Sequence, residues 1–194
     1  MDIINNGYRQ YKKKAALNSE IYLANESDPQ RPQLMVISCC DSRVIPNEIF
    51  SMGPGEIFSY RNIANIVPAS NHPQSDSVAS ALEFGLLHLD IPHLIILGHT
   101  GCGGIKGATA SSCDKDSALD NWLDIIRPAV CKNNSVLTNT QNALNLSYMN
   151  LLSYPFIEQR LTNNLLTISR MIYQISDANL LYFNEKNKSY TLAV

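Results

Sequence analysis

Apolar positions along this chain fall into short runs bounded by turn-forming residues, separated by stretches in which they recur every three or four positions. Three runs, "LMVISC", "IFSYRN" and "HLIILGH", have the length and β-branched content of buried strands. Between the second and third, "SDSVASALEFGLLHL" over 75–89 predicts a helix. Ser75 or Asp76 can cap it, and Val78, Leu82, Leu86 and Leu89 share one face. The spacing of Tyr8, Tyr11, Ala15 and Tyr22 predicts a helix over 7–25, ahead of the Pro-interrupted "SDPQRPQ". A glycine-rich turn after the third run leads into a short helix from Gly104. Residues 117–152 read as helical, though rich in Asn and Ser. A further helix is predicted over 155–175, starting near Pro155. The end, "NLLYFNEKNKSYTLAV", reads as two strands around "EKNK".

Strands alternating with helices imply βαβ units, hence an α/β fold with a central, mostly parallel sheet flanked by helices. An N-terminal helical arm over 1–27 and a C-terminal strand hairpin frame it. No repeat, low-complexity tract or composition break divides the chain, so 1–194 reads as a single domain. In such a sheet ligands bind at the carboxyl ends of the strands, where a cysteine cluster ends the first run and His99 ends the third.

Composition narrows the classes. With 194 residues, 45% hydrophobic and a formal net charge of -2, the chain suits a globular domain and advertises neither nucleic acid nor an anionic membrane as a partner. "YKKKAAL" reads as a solvated helix face. No apolar run reaches the roughly 18 residues of a membrane span, and "MDIINNGYRQYKKKAAL" lacks the apolar core of a secretory signal. Five cysteines, an odd number in a chain of this size, argue for a reducing compartment, the cytoplasm, with thiols available to metal or chemistry.

The chemistry concentrates in "ISCCDSRVIP" and "GHTGCGG". Alternation along a strand gives Cys39 and Asp41 one direction, while Cys40 faces the other way and is expected to fill core space. His99 and Cys102, three apart on a glycine-rich turn, suit one ion. Together Cys39, His99 and Cys102, with Asp41 as an optional fourth member, make a sulfur–nitrogen–sulfur set that suits zinc. A structural zinc site closes with four Cys/His ligands, usually from paired Cys-x-x-Cys knuckles. Three strong ligands beside a carboxylate and an arginine favour a catalytic site instead. A nucleobase deaminase would need His-x-Glu and Pro-Cys-x-x-Cys, which are absent. Gly101, Gly103 and Gly107 miss the dinucleotide spacing of a zinc dehydrogenase.

"CCDSR" followed by "GHTGC", with "PGEIFSYRNIANIV", "SVASALEFGLLHL" and "LIILGHTGCGGIKGA", resembles the β-class carbonic anhydrases, most strongly over 28–110. The resemblance implies one zinc per subunit on Cys39, His99 and Cys102, and reversible hydration of CO2 to bicarbonate and a proton by a zinc-bound hydroxide. It implies an Asp41–Arg43 dyad orienting that nucleophile, and a homodimer or homotetramer with active sites at the subunit interface. In one kind of family member the aspartate itself closes the zinc, and a tryptophan stands where this chain has Val36. The other, open kind carries a glutamine nine residues before the first cysteine, matched here by Gln30. Phe58 matches its aromatic wall, Phe84 stands where tyrosine is usual, and Ile63 and the backbone N–H of Gly103 complete the expected substrate pocket.

His72 is the one expected proton-shuttle candidate; His88 and His93 are expected to be structural, and Cys113 and Cys131 incidental. Arg61 and Asn62 receive no chemistry. Hydrolysis of carbonyl sulfide or carbon disulfide on the same site is the nearest alternative. A zinc-binding regulatory protein without turnover is the other.

Overall fold

The computed structural model describes residues 1–23, 27, 29–110 and 117–193. The three apolar runs form strands with the expected bounds: β1 (Leu34–Cys39), β2 (Ile57–Asn62) and β3 (His93–His99). With β4 (Thr167–Tyr173) and the hairpin of β5 (Leu180–Asn184) and β6 (Ser189–Leu192), they build a six-stranded sheet of order β2-β1-β3-β4-β5-β6. β1 pairs in parallel with β2 and β3, and β3 with β4; only the hairpin strands run antiparallel. The expected class, mostly parallel sheet and C-terminal hairpin are all present.

Eight α-helices accompany the sheet among the described residues. They are α1 (Asp2–Leu17), α2 (Ser19–Tyr22), α3 (Pro46–Ile49), α4 (Asp76–Glu83), α5 (Gly103–Thr109), α6 (Ala118–Leu123), α7 (Val136–Leu151) and α8 (Pro155–Thr162). Strand alternation sends Met35 and Ile37 into one core with Val78 and Leu82 of α4, Leu144 of α7 and Ile157 of α8. Val36 and Leu97 enter a second core with Val44. Each fully buried aliphatic side chain contributes roughly 1.5–3 kcal/mol. A third cluster, with Cys39, Ala64, Ile66, Cys102 and Ile105, includes the residue that ends β1 and those that follow β3. No helix of the described residues is long and apolar enough to cross a membrane.

Three expectations need correction. The predicted helix over 155–175 is two elements. α8 stops because Asn164 takes a left-handed φ of 55°, and the N–H of Leu165 closes back on the Arg160 carbonyl at 2.9 Å, a glycine-like stop that asparagine supports. The segment "TISRMIY" then pairs with β3 residue for residue, from His93↔Thr167 to His99↔Tyr173. The arm starts at Asp2 rather than at 7 and breaks at Asn18, whose φ of -131° is not helical; residues 24–26 and 28 lie outside the described residues. Cys40 is exposed, not core, because β1 ends at Cys39 and alternation no longer governs its side chain. His88, expected to be structural, lies on the wider turn at Phe84–His88 that follows α4.

Candidate metal centre

β1 and β3 are direct neighbours, with Ser38 opposite Leu97, so their ends deliver Cys39 and His99 to one place. Gly101 turns the chain after β3 with a φ of +70°, a conformation that glycine adopts without a Cβ penalty. Cys102 then caps α5. All three side chains are buried, and one ligand atom from each lies within 4.8 Å of the others. The two Sγ atoms are 3.8 Å apart.

The imidazole is set for a cation. His99 Nδ1 lies 3.0 Å from the Thr100 carbonyl and donates to it, which leaves the lone pair on Nε2. That Nε2 is buried and has no hydrogen-bond partner; its nearest carboxylate atom is Asp41 Oδ2 at 3.9 Å. Leaving a buried polar atom unpartnered costs about 1–3 kcal/mol. A soft divalent ion among two sulfurs and this nitrogen removes that cost, and the donor set fits zinc.

The thiols are tuned against each other. Cys39 is held well below the ordinary thiol range, first by the hydrogen bond from Cys102, then by His99 and the backbone N–H groups of Asp41 and Ala64, against the opposing effect of burial. Cys102 is pushed up by the same shared bond and by burial, although the N–H groups of Ile105 and Gly104 point the other way. Without a cation the pair therefore keeps one proton between its sulfurs; a metal lets both ionise.

Asp41 sits at the rim. Arg43 Nε donates to Oδ1 at 2.9 Å, Nη2 to Oδ2 at 2.7 Å, and the Arg43 backbone N–H to Oδ1 at 3.0 Å. Those bonds hold the Asp41 carboxyl well below the usual carboxylate range, against the opposing effect of burial. Both oxygens thus accept from Arg43 and are turned toward it.

Arg61, for which no chemistry was expected from the sequence, organises the same loop. Its guanidinium donates to the carbonyls of Cys39 (3.0 Å), Asp41 (2.9 Å) and Val44 (2.8 Å). Asn62 closes the following turn, accepting from the Ile66 N–H and donating to the Ile66 carbonyl, both at 2.8 Å. Only the pairing of β1 with β2 brings these groups together, so no local signal marks them. Inside that turn Ala64 and Asn65 both take left-handed φ values, 62° and 48°, at a cost of order 1 kcal/mol or more each.

The residues expected to wall the substrate are placed unevenly. The Phe58 and Phe84 rings stand 5.8 Å apart. They meet because Gly85 allows close approach: a Cβ there would lie 2.8 Å from Met35 Sδ and 3.2 Å from Phe58. Ile63 and Phe84 remain 40% and 45% exposed, and Gln30 and Gly103 are exposed too. Among the histidines, His88 stacks 5.8 Å from Phe84. His93, expected to be structural, bonds Thr167 across the sheet at 2.5 Å, and His72 accepts from the Gln74 N–H. Cys131 is a free, exposed thiol, and Cys113 lies outside the described residues.

Three comparisons bear on this site. A family model described as carbonic anhydrase matches residues 34–180. Beta carbonic anhydrase 3 of Arabidopsis thaliana is 35% identical over 179 residues, covering 85% of this chain and 69% of the relative. The solved structure of the β-carbonic anhydrase CcaA superposes with a TM-score of 0.90 at 25% identity, over 100% of this chain and 92% of that one. One of two tetrameric β-carbonic anhydrases from Sordaria macrospora shares the fold at a TM-score of 0.75 and 24% identity, covering 96% of this chain and 94% of its own.

Proposed function

The chain belongs to the β-carbonic anhydrase family, and from that premise we propose that it is a zinc enzyme for the reversible hydration of CO2 to bicarbonate and a proton. The observation that carries this reading is the bidentate Asp41–Arg43 pair beside the buried Cys39–His99–Cys102 cluster. A purely structural metal site has no use for such a pair at its rim.

Cys39, His99 and Cys102 hold one zinc ion per subunit. When bound, zinc supplies the Lewis acidity that makes water a nucleophile near neutral pH. Two thiolates donate more charge than neutral imidazoles would, so activity climbs toward alkaline pH. Asp41, kept ionised by Arg43, accepts a hydrogen bond from the nucleophile and so directs its lone pair at carbon. Arg43 occupies both carboxylate oxygens and keeps Asp41 off the metal, the arrangement of the open kind of site. Phe58, Ile63 and Phe84 form a dry wall for an apolar substrate. Gln30 and the Gly103 N–H donate to substrate oxygens.

The exposure of Gln30, Ile63 and Phe84 in a single subunit supports a homo-oligomer, dimer or tetramer, whose interface closes this wall. The arm over 1–27, with Ile4, Tyr8 and Tyr11 exposed on one stripe, embraces the neighbour, while the chain folds as one domain. The free thiols suit a reducing compartment, the cytoplasm.

Stopped-flow CO2 hydration by metal-verified protein tests the reading, run beside sulfide release from carbonyl sulfide and carbon disulfide. Turnover of CO2 well above buffer supports it. Sulfide release without CO2 turnover moves the assignment to the hydrolase. Silence in both assays leaves a zinc-binding protein without catalysis.

A further inference from the structure

The chain's single tryptophan, Trp122, is half-buried on α6 and spends its indole N–H on one acceptor, the carbonyl of Ile63, at 2.9 Å. Ile63 opens the turn whose next two residues are both left-handed without being glycine. Asparagine enters the left-handed region readily, but nothing in the intrinsic preference of Ala64 holds that shape. Contacts from outside must do so, and they come from two sides. The Asn62–Ile66 side-chain bridge closes the turn across its base. The indole bond grips it from α6, 59 residues away in sequence.

Two consequences of the turn reach the metal centre. It puts Ala64 in one buried cluster with Cys39 and Cys102, and it seats Ile63 and Ala64 against α5, where a Cβ on Gly104 would come within 2.8 Å of Ile63 and 2.9 Å of Ala64. The grip itself is anchored. Arg127 bonds Asp120 and Asp124 of the α6 segment, both at 2.6 Å, and reaches the Ala108 carbonyl of α5 at 3.2 Å. Ser117 caps α6 through the Asp120 N–H at 3.1 Å. α5 and α6 are thereby one support, and the indole hydrogen-bonds that support to the turn.

We infer that Trp122 is a positioning residue for the metal centre: its N–H holds the Ile63–Asn65 turn in the shape that packs Ala64 with Cys39 and Cys102 and presents the Ile63 side chain to the substrate wall. This rests on the proposed function for its catalytic consequence, but not for its structural one.

With one tryptophan in the chain, biosynthetic replacement of tryptophan by benzothienylalanine, which has sulfur in place of the indole N–H, removes a single donor and keeps the ring shape. In the zinc-loaded protein, transfer of zinc to an excess of chelator is expected to quicken about three- to tenfold, the scale of one lost hydrogen bond. The kcat/KM for CO2 is expected to fall by a similar factor. Replacement by 7-azatryptophan, which keeps the N–H, restores both. Trp122→Phe, also without the donor, serves as a second variant read the same way. Unchanged zinc release in the protein lacking the donor overturns the inference, as does a quickening that the 7-azatryptophan protein shares. Were the unmodified protein inactive toward CO2, the proposed function would fall while zinc release still decided the role of Trp122.

Discussion

Arg43 meets Asp41 fork to fork, Nε on Oδ1 at 2.9 Å and Nη2 on Oδ2 at 2.7 Å, while that same Oδ2 stands 3.9 Å from the orphaned Nε2 of His99. One carboxylate thus faces an arginine and a metal ligand together, and the side it leans to decides whether the site is open. Asp41→Asn keeps the shape but cannot stay anionic or accept through both oxygens. We expect kcat for CO2 hydration to fall about 10²-fold with zinc content unchanged by elemental analysis. An Asp41→Asn enzyme of wild-type rate would remove the dyad from the mechanism.

Thiol reactivity reads the cluster without any assay of turnover. Cys40 and Cys131 are exposed and free, whereas Cys39 and Cys102 are buried together. In the zinc-loaded protein the exposed pair should titrate quickly with a disulfide reagent. Stripping the metal with a chelator should add two further thiols per chain. If chelation adds none, the buried pair does not hold the metal.

These relationships were unequally visible in the sequence. β1, β2 and β3 announce themselves as short apolar runs between turn residues, and the hairpin by its polar tip; alternation is local information. The segment 167–173 misleads because Ile168, Met171 and Ile172 also fit a helical stripe. Its strand state comes from pairing with β3, more than 70 residues away. The cluster of Cys39, His99 and Cys102 was legible because the ends of parallel strands meet at a sheet edge whatever the loops do. The grip of Trp122 on Ile63 and the three carbonyls under Arg61 were not, since each depends on side chains meeting across distant segments.

The close approach of α5 to the turn gives a steric prediction. A methyl group at 104 would press on Ile63 and Ala64 at 2.8 and 2.9 Å, both within the most constrained part of the site. Gly104→Ala should destabilise the fold by about 1–3 kcal/mol and lower zinc occupancy as purified. A variant with wild-type melting temperature and full zinc would mean the turn yields easily.

Alkaline stability should carry the signature of Tyr154. Its hydroxyl donates to the Pro68 carbonyl at 3.0 Å, and burial pushes its pKa up from 10.0 to about 12. Because the folded value lies above the unfolded one, Tyr154 contributes stability that is whole below pH 10 and is lost as pH rises through 12. The loss is on the order of 2 kcal/mol. Urea unfolding of wild type and Tyr154→Phe at pH 9 and pH 11.5 checks it: the wild type should lose ground to the variant at the higher pH. Parallel losses in the two proteins would place the alkaline sensitivity elsewhere.

The central claim is that the ends of β1 and β3 hold one zinc through sulfur, nitrogen and sulfur while Asp41 stays with Arg43. Anomalous diffraction at the zinc edge from crystals of the zinc-loaded protein tests it most directly. We predict one peak per subunit bonded to Cys39 Sγ, His99 Nε2 and Cys102 Sγ, with a non-protein atom as the fourth ligand and the Asp41–Arg43 pair intact. A peak at any other residues, or one closed by Asp41 as a fourth protein ligand across the pH range of activity, would contradict the account.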